Sequence, residues 1–530
     1  MAYGQTDAGI DFSNAPLNRN ISDELEQHAS SKAWKQKTIF HSSVKPYRFD
    51  RLAPYVNEDS IYRFKKLAAD NFIERTWNYI GFGHVVSLKT EDFDLFIDPL
   101  IDWQLGRDYD AFQNLYTNTR GAALRGRVGK EFAFAATFRE NQTRHPEYVQ
   151  DYIAEYLVVP GQGRVRRFKV GGVDYANATG YISWTPSRFV NFQLGHGKQF
   201  IGDGYRSMLL SDNAYNYPFF RIESQVWKFK YINIWAQFQD LTEGSNFVTG
   251  FQRKFGSFHY LNYAITNWLQ VGLFEAVIWQ GSNDSLQRGF DFNYINPLIF
   301  YRPVEFGLGS PDNTMMGANI KIQPFHNLSI YGQFFLDDLD IARSREGEGF
   351  YRNKMAFQAG AKWFAPFEIE NLIIRTEYNR AKPFTYAHKV PTQNYAHYNQ
   401  ALAHPLGANF SEFISTVSYR WKRIYGDFKF QYASFGEDSL GSHFGGDIFI
   451  SDFEIENFPE SYGNTTGQGV QTTLTGLEFR AGYIVSPAIR WSFEASISYR
   501  NLEKDGFNDR QLIWLQFGMR TNIFNRYYDF

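Results

Sequence analysis

Hydrophobic and polar residues alternate one by one along most of this chain, from residue 94 to the C-terminal end. In the clearest run, from Ile489 to Arg500, each apolar residue is followed by a polar or charged one. Side chains of a β-strand point alternately to its two faces, so each run predicts a strand with one apolar and one polar face. The pattern therefore predicts an all-β protein.

The alternation predicts about 18 strands. They are 94–106, 116–128, 131–140, 175–185, 188–199, 218–229, 231–240, 258–267, 268–279, 314–324, 328–337, 353–365, 371–380, 410–421, 424–435, 471–485, 489–500 and 510–530. Short turns alternate with long loops between them, as in outer-membrane barrels, where turns face the periplasm and loops face outside. We therefore predict a transmembrane antiparallel β-barrel over residues 94–530, in the outer membrane of a Gram-negative bacterium, with both termini periplasmic.

The first part of the chain lacks this alternation. Residues 1–10 are predicted to be a leader remnant or a disordered start. Residues 11–93 are predicted to form a partly helical periplasmic segment, with Ser22 as an N-cap and a second helix between Ile61 and Phe72. Residues 79–89 have the pattern of a strand, but including them would make the strand count odd, so we expect them outside the barrel.

The end of the chain carries its own signal. Phe530, preceded by Tyr527 and Tyr528, resembles the C-terminal signal of barrels that the outer-membrane assembly machinery inserts. We therefore expect the last predicted strand to end at Phe530.

Composition supports a barrel and excludes several other classes. Aromatic residues make up 18% of the 530 residues, which suits a lipid-facing surface with aromatic girdles. We find no apolar run of about 18 residues, the length that a transmembrane helix requires. The formal net charge of −2 gives no indication of nucleic-acid binding, and the absence of cysteine excludes disulfides and thiolate metal sites.

Several groups of polar residues are candidates for a binding site. The tentative polysaccharide-binding residues are His196, Lys198, Asp203, Tyr205, Arg206, Asp212, Asn213, Arg302, Glu305, Asp312 and Asn313. A basic loop contains Arg164, Arg166, Arg167 and Lys169, whose side chains suit carboxylates or phosphates. Amide, carboxylate and guanidinium groups beside tyrosine suit sugar hydroxyls and acidic groups, but the same groups could instead bond to one another and close the barrel.

Carboxylates and histidines are candidates for catalysis or metal binding. Asp337 and Asp338, with the acids of the neighbouring loop, could hydrolyse a glycoside or bind a hard cation if suitably spaced, or form a salt-bridge network. The histidines are not spaced as a preset ligand pair. They are His259, His326, His388, His397 and His404. We therefore expect no cofactor and no metal.

Four segments in order along the chain resemble the Wzi-type capsule assembly proteins. They are LGHGKQFIGDGYRSMLLSDNAYNYPFFRIE at 194–223, INPLIFYRPVEFGLGSPDNTMMGANIKI at 295–322, SIYGQFFLDDLD at 329–340 and YAHYNQALAHPLGANFSEF at 395–413. The Gly-Asp-Gly at 202–204 departs from the bulkier aromatic-Gly-Pro-Gly form of that family. The resemblance implies an eighteen-stranded barrel with a helical periplasmic N-terminus and a role in holding capsular polysaccharide at the cell surface.

These observations lead to one main functional hypothesis. We expect a non-enzymatic, lectin-like barrel that organises or tethers surface polysaccharide. Its expected partners are outer-membrane lipid, lipopolysaccharide, surface polysaccharide and other outer-membrane or periplasmic proteins that bind the N-terminal segment. A diffusion channel, a scaffold of a secretion or motility assembly and an outer-membrane hydrolase are the alternatives.

The width of the barrel adds a structural expectation. Eighteen strands enclose more space than their own side chains fill. We therefore expect loops 200–217 and 280–313 to fold inward, with Arg206 and Arg221 paired to acids such as Asp203, Glu223 or Asp312.

Overall fold

The structure is a computed structural model. It describes residues 13–56, 71–241, 250–282, 288–298, 303–304, 307, 312–345, 348–439, 442–453, 461–521 and 525–530. Within these residues, eighteen long strands form one closed antiparallel barrel, as the alternation predicts.

The barrel strands follow one another around the wall in chain order, and the last pairs with the first. They are β1 Phe93–Asp108, β2 Gln113–Val128, β3 Phe132–Arg144, β4 Gly172–Ser187, β5 Val190–Gly197, β6 Tyr217–Val226, β7 Phe229–Asp240, β8 Gln252–Ala264, β9 Leu269–Gln280, β10 Asn313–Phe325, β11 Leu328–Asp338, β12 Lys354–Phe364, β13 Leu372–Ala381, β14 Phe410–Trp421, β15 Ile424–Glu437, β16 Val470–Ser486, β17 Trp491–Lys504 and β18 Arg510–Arg520. Closure leaves no unpaired edge, which a strand in a bilayer could not tolerate.

Short elements complete the described structure. The helices are α1 Arg19–Gln36, α2 Phe49–Leu52, α3 Phe72–Phe82 and α4 Glu147–Tyr156, with 3₁₀ turns at Phe292–Ile295, Arg343–Arg345, Pro366–Glu368 and Pro391–Gln393. Two-residue strands pair Val44–Lys45 with Phe200–Ile201 and Ala396–His397 with Gln400–Ala401. Val86–Lys89 pairs with β1, and Arg166–Phe168 pairs with β4. In the described parts of the chain, no helix is both long and apolar enough to cross a membrane.

The two faces of the wall differ as the sequence pattern predicts. Residues that point outward are apolar and exposed, such as Leu194, Phe479 and Phe517. Residues that point inward are mostly polar or small, and many of them, such as Gln193 and Lys362, are buried. Buried polar side chains require partners, so the lumen must be filled by other parts of the chain.

Connections sort to the two ends of the barrel. One end, here called the short-turn end, carries the turns 129–131, 188–189, 227–228, 265–268, 326–327, 365–371, 422–423 and 487–490. The other end, here called the long-loop end, carries the remaining connections. The short-turn end is the periplasmic end in barrels of this type.

Helix α1 lies inside the barrel. Its buried Glu26 accepts a hydrogen bond from Lys362 of β12 at 2.7 Å and forms an ion pair with Lys321 of β10 at 3.4 Å. Asp23 bonds Arg375 of β13, and Glu24 accepts a hydrogen bond from Arg490, in the turn after β16, at 2.9 Å. The acids of this helix therefore face a ring of basic side chains on the wall.

Several local predictions need correction. Ser22 lies within α1, and Asn18 is the N-cap, because its side chain accepts a hydrogen bond from Ile21 N at 3.3 Å. Of the predicted strand 79–89, residues 79–82 belong to α3 and only Val86–Lys89 is a strand, paired with β1. Of the predicted helix between residues 61 and 72, residues 61–70 lie outside the described residues, as do residues 1–10.

The C-terminal end also differs from the prediction. Strand β18 ends at Arg520 and not at residue 530. Residues 525–530 turn into the lumen, where Tyr527 and Asp529 are buried. The Phe530 ring packs against Tyr152 of α4, with ring centres 4.6 Å apart. The terminal aromatic residue therefore does not lie on the outer surface of the last strand.

Candidate functional site

The loop between β5 and β6 turns inward and fills the centre of the barrel. Met208, Leu209 and Leu210 are fully buried there and pack in one apolar cluster with wall residues such as Phe258 and Phe274. The loop between β13 and β14 joins the same cluster. We call residues 13–56, 198–216, 382–409 and 525–530 together the lumenal plug. The expectation that loop 200–217 folds inward is correct.

Arg206 is the most extensively paired side chain of the plug. It donates two hydrogen bonds to Glu412 of β14, at 3.0 and 3.3 Å, and one to Asp529 Oδ1 at 3.1 Å. Burial alone would lower the pKa of Arg206, but Asp529 and Glu412 together raise it above its usual value. Arg206 therefore stays charged and joins the inward loop, the wall and the C-terminal residues.

The partners of Arg206 differ from those predicted. Asp203 instead accepts hydrogen bonds from Ser42 at 2.5 Å and from Asn319 at 3.2 Å. Arg221 bonds Glu223, which is one of the predicted partners. Arg221 and Glu223 both belong to β6, so their ion pair lies within the wall, and β6 contacts the plug through a hydrogen bond from Arg221 to Gln199 at 2.9 Å and through Arg48, 3.8 Å from Glu223.

The other predicted residues of this loop are also engaged within the plug. The hydroxyl of Tyr205 donates to Asp529 at 2.5 Å, and Asp212 accepts from Tyr527 and from Asn525, each at 2.8 Å. The Asn213 amide donates to the backbone oxygen of Ala401 at 3.1 Å. These groups bond to one another.

His196 and Lys198 lie on opposite sides of the wall. His196 shares the outward face of β5 with Leu194, near the long-loop end. Lys198 points inward, where its ammonium donates to the backbone oxygens of Gly161 at 2.7 Å and Asp212 at 2.9 Å. Burial lowers the pKa of Lys198 to about 7, although Asp212 opposes the shift.

The loop between β9 and β10 does not enter the lumen where it is described. Tyr294 packs on Trp279 with ring centres 4.8 Å apart, and its backbone oxygen accepts a hydrogen bond from Trp235 at 2.9 Å. Both tryptophans lie on the outward face of the wall. The strap extends along the wall toward the short-turn end, where the Tyr231 hydroxyl, two residues from the start of β7, donates a hydrogen bond to the backbone oxygen of Pro297 at 2.6 Å. We call residues 288–298 the outer-wall strap, and the prediction that this loop folds inward is wrong for them.

Asp312 anchors this strap. It accepts hydrogen bonds from Arg288 at 2.7 Å and from the Tyr294 hydroxyl at 2.6 Å. The amide of the next residue, Asn313, donates to Gln393 O in the plug at 3.0 Å. Arg302 and Glu305 lie outside the described residues.

The remaining acids and histidines show no common site. Asp337 accepts a hydrogen bond from the backbone of Tyr386 at 2.7 Å, whereas Asp338 pairs with Arg352 at 3.0 Å. The described histidines are scattered: His259 is on the outward face, His326 is in a turn, and His388, His397 and His404 are in the plug. Among the described residues, no group of three histidine or acidic side chains could hold a metal ion.

The basic loop forms an exposed hairpin at the long-loop end. Arg166, Arg167 and Lys169 are exposed, and Arg166 and Arg167 belong to the short strand that pairs with β4. The structure describes no acidic partner for these three cations within the ranges it covers. Their exposed side chains are accessible to an external anion, and Arg166 stands opposite Asp174 in the pairing with β4.

An aromatic cluster adjoins this hairpin and was not found from the sequence. The Tyr398 ring lies 4.9 Å from that of Tyr215 and 6.3 Å from that of Phe251. The guanidinium of Arg164 lies 4.6 Å from the Phe251 ring centre, and His196 lies 6.0 Å from Tyr215. These five residues, here called the outer aromatic patch, come from separate segments and are partly or fully exposed.

Comparison with known proteins identifies the family. The model for capsule assembly protein Wzi matches residues 97–506, well over half of the chain. Among solved structures, Escherichia coli Wzi, described as an outer membrane protein involved in group 1 capsule assembly and as a carbohydrate binding beta-barrel, gives a TM-score of 0.51. Its identity is 13%, over 96% of this chain and 99% of that chain.

Other solved barrels are less similar. Pseudomonas aeruginosa OprD gives a TM-score of 0.41 at 11% identity, over 81% of this chain and 96% of that chain. Pseudomonas aeruginosa OccK1 (OpdK) gives 0.43 at 10% identity, over 81% and 98%. The curated proteins give no match. The family match covers most of the barrel, and the chain belongs to the Wzi capsule assembly protein family.

Proposed function

We propose that this protein is a non-catalytic, lectin-like barrel of the Gram-negative outer membrane that binds and tethers capsular polysaccharide. In this proposal the short-turn end faces the periplasm and the long-loop end faces outside, in contact with lipopolysaccharide. Family membership supports a role in capsule assembly. The carbohydrate binding described for Escherichia coli Wzi supports the choice of ligand.

The observation that carries the proposal is the outer aromatic patch beside the basic hairpin. Aromatic rings such as Tyr215 and Tyr398 offer flat apolar faces with polar edges, which suit the mixed surface of a sugar ring. The guanidinium groups of Arg166 and Arg167 can bind carboxylates in a bidentate manner. A surface with both features suits an acidic polysaccharide.

The filled lumen supports a tether over a diffusion channel. The apolar cluster of the plug extends from the inward loop to the walls of β8, β9 and β11. A tether requires no passage, whereas a diffusion channel requires an open one. The proposal also leaves α3, at the short-turn end, as a surface for a periplasmic partner, since its Phe72 and Tyr79 are largely exposed.

A binding measurement tests the proposal. Purified protein in neutral detergent should bind capsular polysaccharide from its own host in calorimetry. The Tyr398→Ala and Arg166→Ala/Arg167→Ala variants should each weaken binding at least fivefold. Tyr109→Ala and Arg107→Ala are matched controls, because these side chains are exposed at the same end but away from the patch.

A cellular measurement complements it. Cells that lack the gene should shed polysaccharide that wild-type cells retain, and the Tyr398→Ala variant should restore retention only in part. Equal retention with and without the gene would refute tethering. Equal affinity of wild type, Tyr398→Ala and Arg166→Ala/Arg167→Ala would place the glycan elsewhere.

A further inference from the structure

The outer-wall strap lies against a part of the wall that faces the membrane. Trp227, Phe229 and Trp268 form an exposed aromatic girdle at the short-turn end, and such girdles mark the membrane surface in barrels. Tyr231 lies two residues beyond Phe229 on the outward face of β7, toward the long-loop end, and it bonds the strap at Pro297. This end of the strap therefore lies on the membrane side of the girdle.

The strap extends over much of the height of the wall. Near the long-loop end, Gly289 O accepts a hydrogen bond from the Trp279 indole at 3.2 Å. Trp279 is level with Gln237 of β7 through their common neighbour on β8, Phe255. Tyr231 lies six residues from Gln237, which at about 3.3 Å per residue is about 20 Å along the strand. With a strand tilt of about 40°, the strap spans about 15 Å of an apolar band that is about 25 Å tall.

The wall beneath the strap provides hydrogen-bond donors on its outward face. Tyr294 O accepts a hydrogen bond from the Trp235 indole at 2.9 Å and another from the Ser257 hydroxyl at 3.2 Å. The Tyr231 hydroxyl and the Trp279 indole donate in the same way to backbone oxygens of the strap. Irregular backbone is tolerated at membrane depth only where protein satisfies its polar groups. These outward donors do so at three successive points along the strap.

Local hydrogen bonds satisfy further polar groups of the strap. The backbone N–H and the side-chain amide of Asn293 both donate to Asp291 Oδ1, at 2.9 and 2.8 Å. The side-chain oxygen of Asn296 accepts from Leu298 N at 3.1 Å. Hydrogen bonding reduces the cost of transferring a polar group from water to an apolar medium. The two exposed amide side chains are therefore compatible with a membrane position.

Three polar residues of the wall lie under the path of the strap. Asn233, His259 and Glu275 stand side by side on the outward face of β7, β8 and β9, yet all three are buried. The strap passes their level between its contacts at Tyr294 and Pro297. Contact between such groups and lipid would be costly. The strap thus lies where it keeps lipid away from them.

The exposed side of the strap carries large apolar residues. Phe292, Ile295 and Leu298 are 75%, 50% and 68% exposed. Leu273 of β9 is level with Tyr231 and is also exposed, as part of the lipid-facing wall. The apolar side of the strap therefore continues the surface that the wall presents to lipid.

We propose that the outer-wall strap is embedded in the bilayer and that lipid acyl chains cover Phe292, Ile295 and Leu298. The strap takes the place of the lipid-facing surface over part of β7 to β9. Its backbone faces the donors of the wall, and its apolar side chains face the lipid. This surface is independent of polysaccharide binding at the long-loop end.

The test uses the full-length protein in dioleoylphosphatidylcholine vesicles. Because the chain has no cysteine, a single introduced cysteine can carry a nitroxide label. Phe292→Cys, Ile295→Cys and Leu298→Cys report on the strap. Leu273→Cys is the lipid-facing control, and Phe507→Cys is the aqueous control, because Phe507 is 65% exposed in the turn between β17 and β18 at the long-loop end.

Collisions of each label with two reagents identify its surroundings. Oxygen concentrates in lipid, whereas a nickel chelate stays in water. The ratio of oxygen to nickel collisions at the strap positions should be within twofold of the ratio at Leu273 and at least fivefold above the ratio at Phe507. Heat-modifiable migration in gels verifies that each variant is folded. The three strap positions are independent, so a variant that fails to fold leaves the other two to decide.

Two results would overturn the proposal. A ratio at the strap positions equal to that at Phe507 would show that the strap lies in water. Labels that collide with neither reagent would show that protein covers the strap, and recovery of oxygen collisions on dilution into excess lipid would identify that protein as a second copy of the chain. None of these results bears on polysaccharide binding by the outer aromatic patch.

Discussion

The Arg206→Ala variant should loosen the plug without unfolding the barrel. Arg206 is 3% exposed and its removal leaves the carboxylates of Glu412 and Asp529 without their shared partner. Removing one partner of a buried ion pair typically costs about 3–5 kcal/mol. Glu412 keeps His404 at 2.7 Å, and Asp529 keeps Lys429 at 3.2 Å, so we expect the lower end of that range.

A loss of about 3 kcal/mol would raise the open fraction of the plug about a hundredfold, since 1.4 kcal/mol corresponds to a factor of ten. The chain has no cysteine, so a single cysteine is a specific reporter. Ala214→Cys suits this purpose because Ala214 is buried in the plug. Maleimide should label this cysteine about a hundredfold faster in the Arg206→Ala background.

The control is Arg510→Ala, because Arg510 forms exposed ion pairs with Asp151 and Glu147 at the rim. Exposed pairs contribute less than about 1 kcal/mol, so labelling should change less than fivefold. The barrel should keep its heat-modifiable migration in both variants, because the strand ladder holds the wall. If Arg206→Ala inserts correctly and labels at the wild-type rate, the ion-pair network does not hold the plug.

Three further predictions concern single contacts. In wild type, plug stability should rise between about pH 7 and 10. Burial lowers the pKa of Lys198 to about 7, so in this range the folded state binds fewer protons than the unfolded one. Lys198→Met should remove this pH dependence of plug stability, measured by hydrogen exchange corrected for intrinsic rates. Glu26→Gln should expose α1 to protease, and wild type should become protease-sensitive as the pH falls below about 4.5. The reason is that Lys362 and Lys321 outweigh burial and hold the pKa of Glu26 well below its usual value. Unchanged protection in either case would contradict the buried ion pair. Asp312→Asn should speed hydrogen exchange in the outer-wall strap and leave the plug unchanged, and equal exchange in the strap would show that Asp312 does not anchor it.

The wall of the barrel was predictable because its signal is local. Each strand exposes one face to lipid and one to the lumen, so apolar and polar residues alternate along the whole strand. Strand β14, for example, has the predicted bounds. The last strand was predicted too long for the same reason. Residues 525–530 lie in the lumen with alternating burial, and a period of two in the sequence does not distinguish a wall strand from such a segment.

The site was less predictable because its contacts join distant parts of the chain. Arg206 meets Glu412 and Asp529, which lie 206 and 323 positions away, and no local pattern indicates such partners. The prediction for the outer-wall strap is wrong because it assumes that charged and amide groups need a buried position inside the barrel. Arg288 is instead paired with Asp291 within the strap and with Asp312 immediately before β10, outside the lumen.

The position of α1 has a consequence for the order of folding. The helix precedes every strand in the sequence, yet it contacts the wall from β10 to β15, and Arg19 N donates to Asn525, 506 positions further along the chain. Contacts at such separation form only after the intervening chain is ordered, since closing so long a loop costs entropy that local pairing does not. A helix that precedes all the barrel strands in the chain is thus one of the last elements to dock. Refolding should proceed in two stages, with closure of the strand ladder preceding protection of α1.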